Sequence, residues 1–304
     1  GSATVFVGDT ASAFGANMRA LLLAVYTSSL DHSPLVFRPG WHYFSHSACS
    51  SGSLDCYFHS PFACPVQEGQ EEYQRPSLVE YPDGLPENLP LVQHKVGAAT
   101  VFNLQRPPPP FQHKGVFWWI ANTGQWLLQP NAYLASLLRD ARNAAGFRHP
   151  IVGLHARRGD ACSQGTGRKC LSAEDYLLGL RAMRDKYGVS RVWLASDSAT
   201  TIEELREADP SFEYLQLAGS VHAAQLSGLT AHITPILRSR MGLLDRKAVS
   251  EAGLLDLFLL RDCDFFVGQF TSALSLLALE LSAAEKGLVP PYIGLDGPWQ
   301  SLVN

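Results

Sequence analysis

The stretch Ile151-Val152-Gly153-Leu154-His155-Ala156-Arg157-Arg158-Gly159-Asp160 decides the fold. Its first residues form a continuous apolar run that ends in a histidine, which predicts a strand buried on both faces. Two arginines, a glycine and an aspartate follow this run directly. Polar residues in that position are typical of the carboxyl edge of a parallel sheet, where α/β proteins bind their ligands.

Apolar runs and amphipathic segments alternate on both sides of this stretch. Helices are predicted over 130–145, 173–187, 201–208, 251–261 and 272–284, and further strands over 191–195, 212–215 and 264–268. Parallel strands need a crossover connection, so this alternation predicts a parallel, doubly wound sheet.

The first half of the chain begins in the same way. Strands are predicted at 4–7 and 35–37, with a helix between them that Asn17 is placed to cap. From Pro39 to Pro110 the pattern breaks up into Pro, Gly, Ser and aromatic residues. We expect an α/β protein with two facing Rossmann-type domains and parallel sheets, an N-terminal domain of residues 1–147 and a C-terminal domain of residues 148–304.

Composition excludes several classes of protein. The 304 residues are 46% hydrophobic and carry a formal charge of -4, so the basic excess of a general nucleic-acid binder is missing. The longest apolar runs, such as Leu254 to Leu260, fall far short of the ~20 residues that span a bilayer. Gly1-Ser2 is typical of an expression scar, so we expect any targeting or membrane-anchoring segment to lie outside this sequence.

The six cysteines form no CxxC pair, which argues against a zinc ribbon. Cys49, Cys56 and Cys64 lie close together, and Cys162 and Cys170 form a second group. This clustering favours short-range disulfides in an oxidising compartment, and buried free thiols are the alternative.

The adjacent Arg157 and Arg158 are costly at the end of a buried strand unless they meet anions. Guanidinium groups match phosphate oxygens in bidentate fashion, so a pyrophosphate leaving group is one interpretation. A structural ion pair with Asp160 or another acid is the other.

Two more strand ends carry polar residues. Asp197 could accept hydrogen bonds from a sugar hydroxyl, or it could cap the next helix. Thr271 and Ser272 could form an anion site at a helix N-terminus, or an ordinary cap. Because the three strand ends share one edge of the sheet, we expect these residues to converge on one ligand.

Two short motifs carry little weight. Arg158-Gly159-Asp160 spells an adhesion tripeptide, but it follows a buried strand directly. Asp262-Cys263-Asp264 resembles a metal-binding DxD motif, yet it lies between a helix and a strand at the wrong edge of the sheet, so no metal site is expected.

In its ordered motifs the chain resembles the α1,6-fucosyltransferase family and, more distantly, protein O-fucosyltransferases. The signature of that family is HxRR followed by a small residue and Asp, which His155 to Asp160 match. The other matching stretches, in the same order as in the family, are 14–30, Arg38-Pro39-Gly40-Trp41, Trp118-Trp119, 146–153, 192–197 and 255–272.

This resemblance implies a GT-B arrangement in which the first domain is the acceptor side and the second binds GDP-fucose. It also implies a reaction that transfers fucose to a glycan or glycoprotein with inversion and that needs neither a metal nor a cofactor. The implied location is the lumen of the secretory pathway, most often the Golgi. Carried over by position, the expected catalytic residues are Arg157, Arg158 and Asp160, and the expected donor-binding residues are His155, Arg157, Arg158, Asp197, Asp256, Thr271 and Ser272.

The sequence departs from the family after the signature. Ala161 follows Asp160 where core-fucosylating members have Lys, and no acid occurs from Cys162 to Lys169, where those members carry a Glu. The general base is therefore unassigned. Asp160 is one candidate base, and a dissociative reaction that needs little help from a base is the other possibility. Two alternative functions also stay open, a catalytically inactive binding protein of the same fold and a transferase that uses a different nucleotide sugar.

Overall fold

The computed structural model describes residues 5–7, 14–31, 35–37, 41, 44, 46–59, 79–80, 91–96, 99–159, 162, 170–217 and 245–303. The chain forms two compact units, Gly1–Asn131 with Ser301–Asn304, and Ala132–Gln300. The assignment of residues 1–147 to an acceptor domain and 148–304 to a donor domain stays a prediction.

The described residues contain eleven strands and seven α-helices. The strands are β1 (Val5–Val7), β2 (Leu35–Phe37), β3 (Val79–Glu80), β4 (Leu91–Val96), β5 (Ala99–Leu104), β6 (Val152–Ala156), β7 (Arg191–Ser196), β8 (Glu213–Leu215), β9 (Phe265–Gly268), β10 (Tyr292–Gly294) and β11 (Leu302–Val303). The helices are α1 (Phe14–Asp31), α2 (Val116–Leu127), α3 (Ala132–Ala145), α4 (Ala173–Tyr187), α5 (Thr201–Ala208), α6 (Arg246–Asp262) and α7 (Ala273–Lys286).

The first unit departs from the all-parallel expectation. Its described strands form a sheet in the order β2-β1-β3, in which β1 pairs parallel with β2 and antiparallel with β3. A second sheet, β11-β5-β4, is antiparallel. The predicted capping role of Asn17 is wrong, because α1 begins at Phe14 and Asn17 is buried inside the helix.

Aromatic packing accounts for the stretch that contains Trp41 and His46. Trp41 and Phe44 are buried, and their ring centroids lie 6.3 Å apart in a stacked arrangement. The Tyr57 hydroxyl lies 2.9 Å from His46 Nε2. Trp41, Phe44 and Tyr57 therefore contribute to the core of the first unit.

Each cysteine cluster contains a short-range disulfide, as the clustering favoured, and the structure supplies the pairing that the sequence left open. Cys49 pairs with Cys56 and Cys162 with Cys170, whereas Cys64 lies outside the described residues. Cys263 is a buried thiol whose Sγ donates to the Leu259 carbonyl.

The second unit contains the predicted parallel sheet, in the order β10-β9-β6-β7-β8. All five residues of β6 are buried, as expected for a central strand covered by helices on both faces. The bounds of α4 and α5 agree with the predicted ones. The helix α6 begins at Arg246, earlier than predicted, because the Asp245 side chain caps it by accepting the Ala248 N–H.

A close approach of α4 to the sheet depends on Gly179. A Cβ added there would lie 2.8 Å from Val267 Cγ1 and 3.2 Å from Leu295 Cδ2. Such distances require a neighbour to shift, so glycine sets how near this helix lies to β9.

We expect Gly179→Ala to lower the free energy of unfolding by about 1–3 kcal/mol, because overpacking outweighs the better helix propensity of alanine. The control is Gly253→Ala on α6, where an added Cβ meets nothing within 4 Å in the described part of the chain. In that variant the free energy of unfolding should rise by about 0.5–1 kcal/mol, the difference in helix propensity between alanine and glycine. Urea denaturation followed by circular dichroism measures both, and equal effects would contradict the packing argument.

Candidate functional site

The carboxyl ends of three neighbouring strands bring the predicted site residues to one edge of the sheet. In the register of the central strand β6, His155 pairs with Ala195 of β7 and with Gly268 of β9. The segments that follow these strands, 157–159, 197–198 and 269–272, therefore leave the sheet at the same level.

Asp197 binds the turn that follows β6. Its Oδ1 accepts the backbone N–H of Arg158 at 2.7 Å and that of Gly159 at 2.9 Å, and its Oδ2 forms an ion pair with the Arg157 guanidinium. The carboxylate is buried. It does not cap α5, whose N-cap residue is Thr200. Asp197 therefore orients Arg157 and fixes the backbone beside it.

Gly159 permits this close approach. A Cβ added to Gly159 would lie 2.8 Å from Asp197 Oδ2 and 3.0 Å from its Cγ, closer than side chains approach one another. Any larger residue at this position would displace the carboxylate that holds the turn.

Arg158 forms its ion pair with a different acid. Its Nη1 contacts Glu204 Oε2 on α5, and the Thr200 hydroxyl donates to Glu204 Oε1 at 2.7 Å. Burial raises the pKa of Glu204, but the hydrogen bonds from Thr200 and Arg158 and the charge of Arg158 outweigh it, so the net pKa is lowered.

The ion-pair interpretation of the two arginines is thus realised with Asp197 and Glu204. Asp160, the acid named from the sequence, lies outside the described residues. The side chains of Arg157 and Arg158 nevertheless stay 17% and 21% exposed. The four side chains sum to no net formal charge, so an anion bound here would be held by the direction of the N–H donors rather than by excess charge.

The segment after β9 is held by an aspartate that the sequence did not single out. Asp296 accepts the backbone N–H of Phe270 at 2.6 Å and that of Thr271 at 3.1 Å, and it also accepts the Thr271 hydroxyl at 2.5 Å. Thr271 is therefore bound to Asp296. The Gly294-Leu295-Asp296-Gly297 turn after β10 was the available signal.

Ser272 is the N-cap residue of α7, yet its side chain makes no capping hydrogen bond among the described residues. The first backbone N–H groups of an α-helix have no partner within the helix. The N-terminus of α7 consequently presents backbone donors and a nearly buried serine at the same edge as the arginines.

The two remaining candidates are buried in the same unit. His155 Nδ1 lies 2.6 Å from the Ser275 hydroxyl in the first turn of α7. Asp256 lies on α6, where burial raises the pKa of its carboxyl well above the usual value. Both side chains are buried in the second unit, and their expected place in a guanine pocket stays a prediction.

The DxD-like carboxylates have structural roles. Asp264 Oδ2 accepts the backbone N–H of Ile151 at 2.8 Å, at the amino edge of the sheet. Asp262 forms ion pairs with Arg142 and Arg261. In the part of the chain that the structure describes, no three His, Cys, Asp or Glu side chains lie together as a metal site would require.

Comparison with known proteins identifies the family. Residues 109–287 match the family described as alpha-(1,6)-fucosyltransferase N- and catalytic domains, which is more than half of the chain. The chain belongs to the α-(1,6)-fucosyltransferase family. The alpha-(1,6)-fucosyltransferase of Drosophila melanogaster is 27% identical over 172 residues, which are 55% of this chain and 25% of that enzyme. The match thus covers about a quarter of this relative.

Solved structures of a bacterial member show the same fold. The fucosyltransferase NodZ from Bradyrhizobium aligns over 99% of both chains with a TM-score of 0.53 and 16% identity. A NodZ structure soaked with GDP-fucose aligns over the same share with a TM-score of 0.50 and 15% identity. The predicted α/β, GT-B-like fold class is confirmed, and so is the resemblance to α1,6-fucosyltransferases.

The ion pair of Glu204 predicts a pH-dependent stability. A carboxylate with a lowered pKa stabilises the folded protein above its unfolded pKa, and this contribution is lost as the pH falls through the folded pKa. We expect the difference in free energy of unfolding between wild type and Glu204→Gln to be largest near neutral pH and to shrink in acid. Chemical denaturation at several pH values measures it.

The control for this series is Glu203→Gln, which removes the same charge from an exposed residue one position earlier on α5. An equal pH dependence in both variants would contradict the role given to the Arg158–Glu204 pair.

Proposed function

We propose that this chain is the catalytic part of a glycosyltransferase that transfers L-fucose from GDP-fucose to a glycan or glycoprotein acceptor. The observation that carries the proposal is that two oriented arginines and the N-terminus of α7 follow neighbouring strands at one edge of the sheet, in a member of the α-(1,6)-fucosyltransferase family. The GDP-fucose soaked into NodZ supports the choice of donor.

In the proposed reaction, the bond between C1 of fucose and the β-phosphate oxygen breaks, and its electron pair stays on the departing GDP. Arg157 binds the β-phosphate, Arg158 supports the phosphates or the sugar, and Ser272 with the N-terminus of α7 binds the phosphates. Because Asp197 and Glu204 already orient the guanidinium groups, little reorganisation accompanies the developing negative charge. His155 and Asp256 line the guanine pocket.

The acceptor hydroxyl attacks C1 from the face opposite to GDP, which inverts the configuration, and its proton passes to solvent water or to a base. The transition state resembles an oxocarbenium ion, so a loosely bonded nucleophile needs little help from a base. Asp160 is the candidate base for a more associative reaction. The absence of an acid between Cys162 and Lys169 favours the dissociative mechanism, which needs little help from a base.

We further propose that the reaction needs no metal, because the arginines and the N-terminus of α7 supply the donors that a cation would otherwise provide. The two disulfides and the family of the chain support a place in the lumen of the secretory pathway, and we propose the Golgi. No helix in the described ranges is both long and apolar enough to cross a bilayer.

A direct test incubates the protein with GDP-fucose and a panel of N-glycans, chitin oligosaccharides and glycoproteins, with and without EDTA. Mass spectrometry should detect the mass gain of one fucose on at least one acceptor, unchanged by EDTA. Calorimetry should detect binding of GDP, and GDP should compete with GDP-fucose more strongly than UDP does. If GDP binds but neither transfer to any acceptor nor hydrolysis of GDP-fucose is detected, an inactive nucleotide-binding protein is favoured. A preference for UDP over GDP would favour a different nucleotide sugar as the donor.

Replacing Arg157 by alanine should abolish transfer and weaken GDP binding by roughly 2–4 kcal/mol, the scale of losing a charge-assisted contact. Calorimetry with GDP and the transfer assay measure both effects. The control is Arg139→Ala, an exposed arginine of α3 that hydrogen-bonds Ser136. Normal turnover in the Arg157 variant would remove this residue from the mechanism.

A further inference from the structure

The disulfide between Cys162 and Cys170 begins at the turn that carries the arginines. The backbone N–H of Cys162 lies 3.2 Å from the carbonyl oxygens of both Arg158 and Gly159. The arginine turn, Arg157–Gly159, is therefore hydrogen-bonded directly to one half of the disulfide.

The other half of the disulfide is fixed to a helix. Cys170 precedes the buried Leu171 and the N-cap of α4. There Ser172 and Asp175 form a capping box, in which the Ser172 hydroxyl accepts the Asp175 N–H at 3.2 Å and Asp175 accepts the Ser172 N–H at 2.8 Å. The disulfide thus ties the arginine turn to the start of a helix that packs on the sheet.

We infer that the Cys162–Cys170 disulfide is a positioning element for Arg157 and Arg158, which holds their turn in the conformation that binds the diphosphate of a nucleotide. This inference rests on the proposed function. If the turn is already ordered before binding, the ligand does not bear the entropy cost of ordering it. The covalent link therefore raises the affinity for the ligand without touching it.

The second disulfide offers a matched control within the same chain. The sequence separation is 7 residues for Cys49–Cys56 and 8 for Cys162–Cys170. Loops of such similar length restrict the unfolded chain to a similar degree, so the two links should contribute similarly to stability. Cys49–Cys56 belongs to the first unit, where Cys56 is the last residue of a short 3-10 helix, Leu54–Cys56, whereas the arginines belong to the second unit.

The experiment compares wild type with the double variants Cys162→Ser/Cys170→Ser and Cys49→Ser/Cys56→Ser. Calorimetry measures the Kd for GDP, thermal melting measures Tm, and steady-state kinetics measure kcat and the KM for GDP-fucose. We expect loss of Cys162–Cys170 to raise the Kd for GDP about tenfold, on the scale of ordering a few side chains on binding. The other variant should stay within about twofold of wild type, as independent sites do, although Tm falls in both.

The outcomes separate this inference from the proposed function. A wild type that does not bind GDP would overturn both. A wild type that binds GDP, together with a Cys162→Ser/Cys170→Ser variant that binds it equally well, would overturn the positioning role alone. GDP affinity that falls in both variants in parallel with Tm would also overturn it, because general stability would then explain the loss.

Folding of the double variant is not required for the test. The folded wild type can be treated with a mild phosphine reductant, with alkylation and peptide mass spectrometry reporting which disulfide has opened. A rise in the Kd for GDP that follows the opening of Cys162–Cys170 supports the inference. An unchanged Kd after complete opening overturns it.

Discussion

One buried carboxylate organises the carboxyl edge of the second sheet. Asp197 accepts the backbone N–H groups of Arg158 and Gly159 and pairs with the Arg157 guanidinium, so a single side chain satisfies donors from three consecutive residues. Burying a carboxylate is costly unless such partners surround it, and removing any of them would leave part of the charge uncompensated. The arginine turn therefore behaves as one unit with Asp197 rather than as separate surface residues.

This construction changes how the positive charge of the site should be understood. Each arginine has an acid of its own, Asp197 for Arg157 and Glu204 for Arg158, and the guanidinium groups are oriented before any ligand arrives. What the edge presents to an anion is a set of fixed directions, from the guanidinium groups and from the N-terminus of α7. In the proposed transfer, such preorganised donors would stabilise the departing GDP, because little rearrangement is needed when charge develops.

The sequence predicted those features that depend on local patterns. The helices 173–187 and 201–208 agree with the structure because their apolar periodicity and end signals are clear. The antiparallel β4–β5 pair was missed because it lies in the irregular stretch before Pro110. Glu204 and Asp296 were missed for a different reason. Their partners are distant in sequence, so the glycine-flanked turn at Asp296 could indicate a turn residue but not which groups it binds.

The capping box at Ser172 has a consequence for how this protein can evolve. Its hydrogen bonds give α4 an N-terminus that is defined by residues of the helix itself. Changes of sequence or length between Cys162 and Cys170 therefore need not alter the residue at which the helix starts. A longer loop there would also cost little, because the entropy of closing a loop grows only slowly with its length. Descendants of this gene can thus vary the sequence between the two cysteines without changing the residue at which α4 begins.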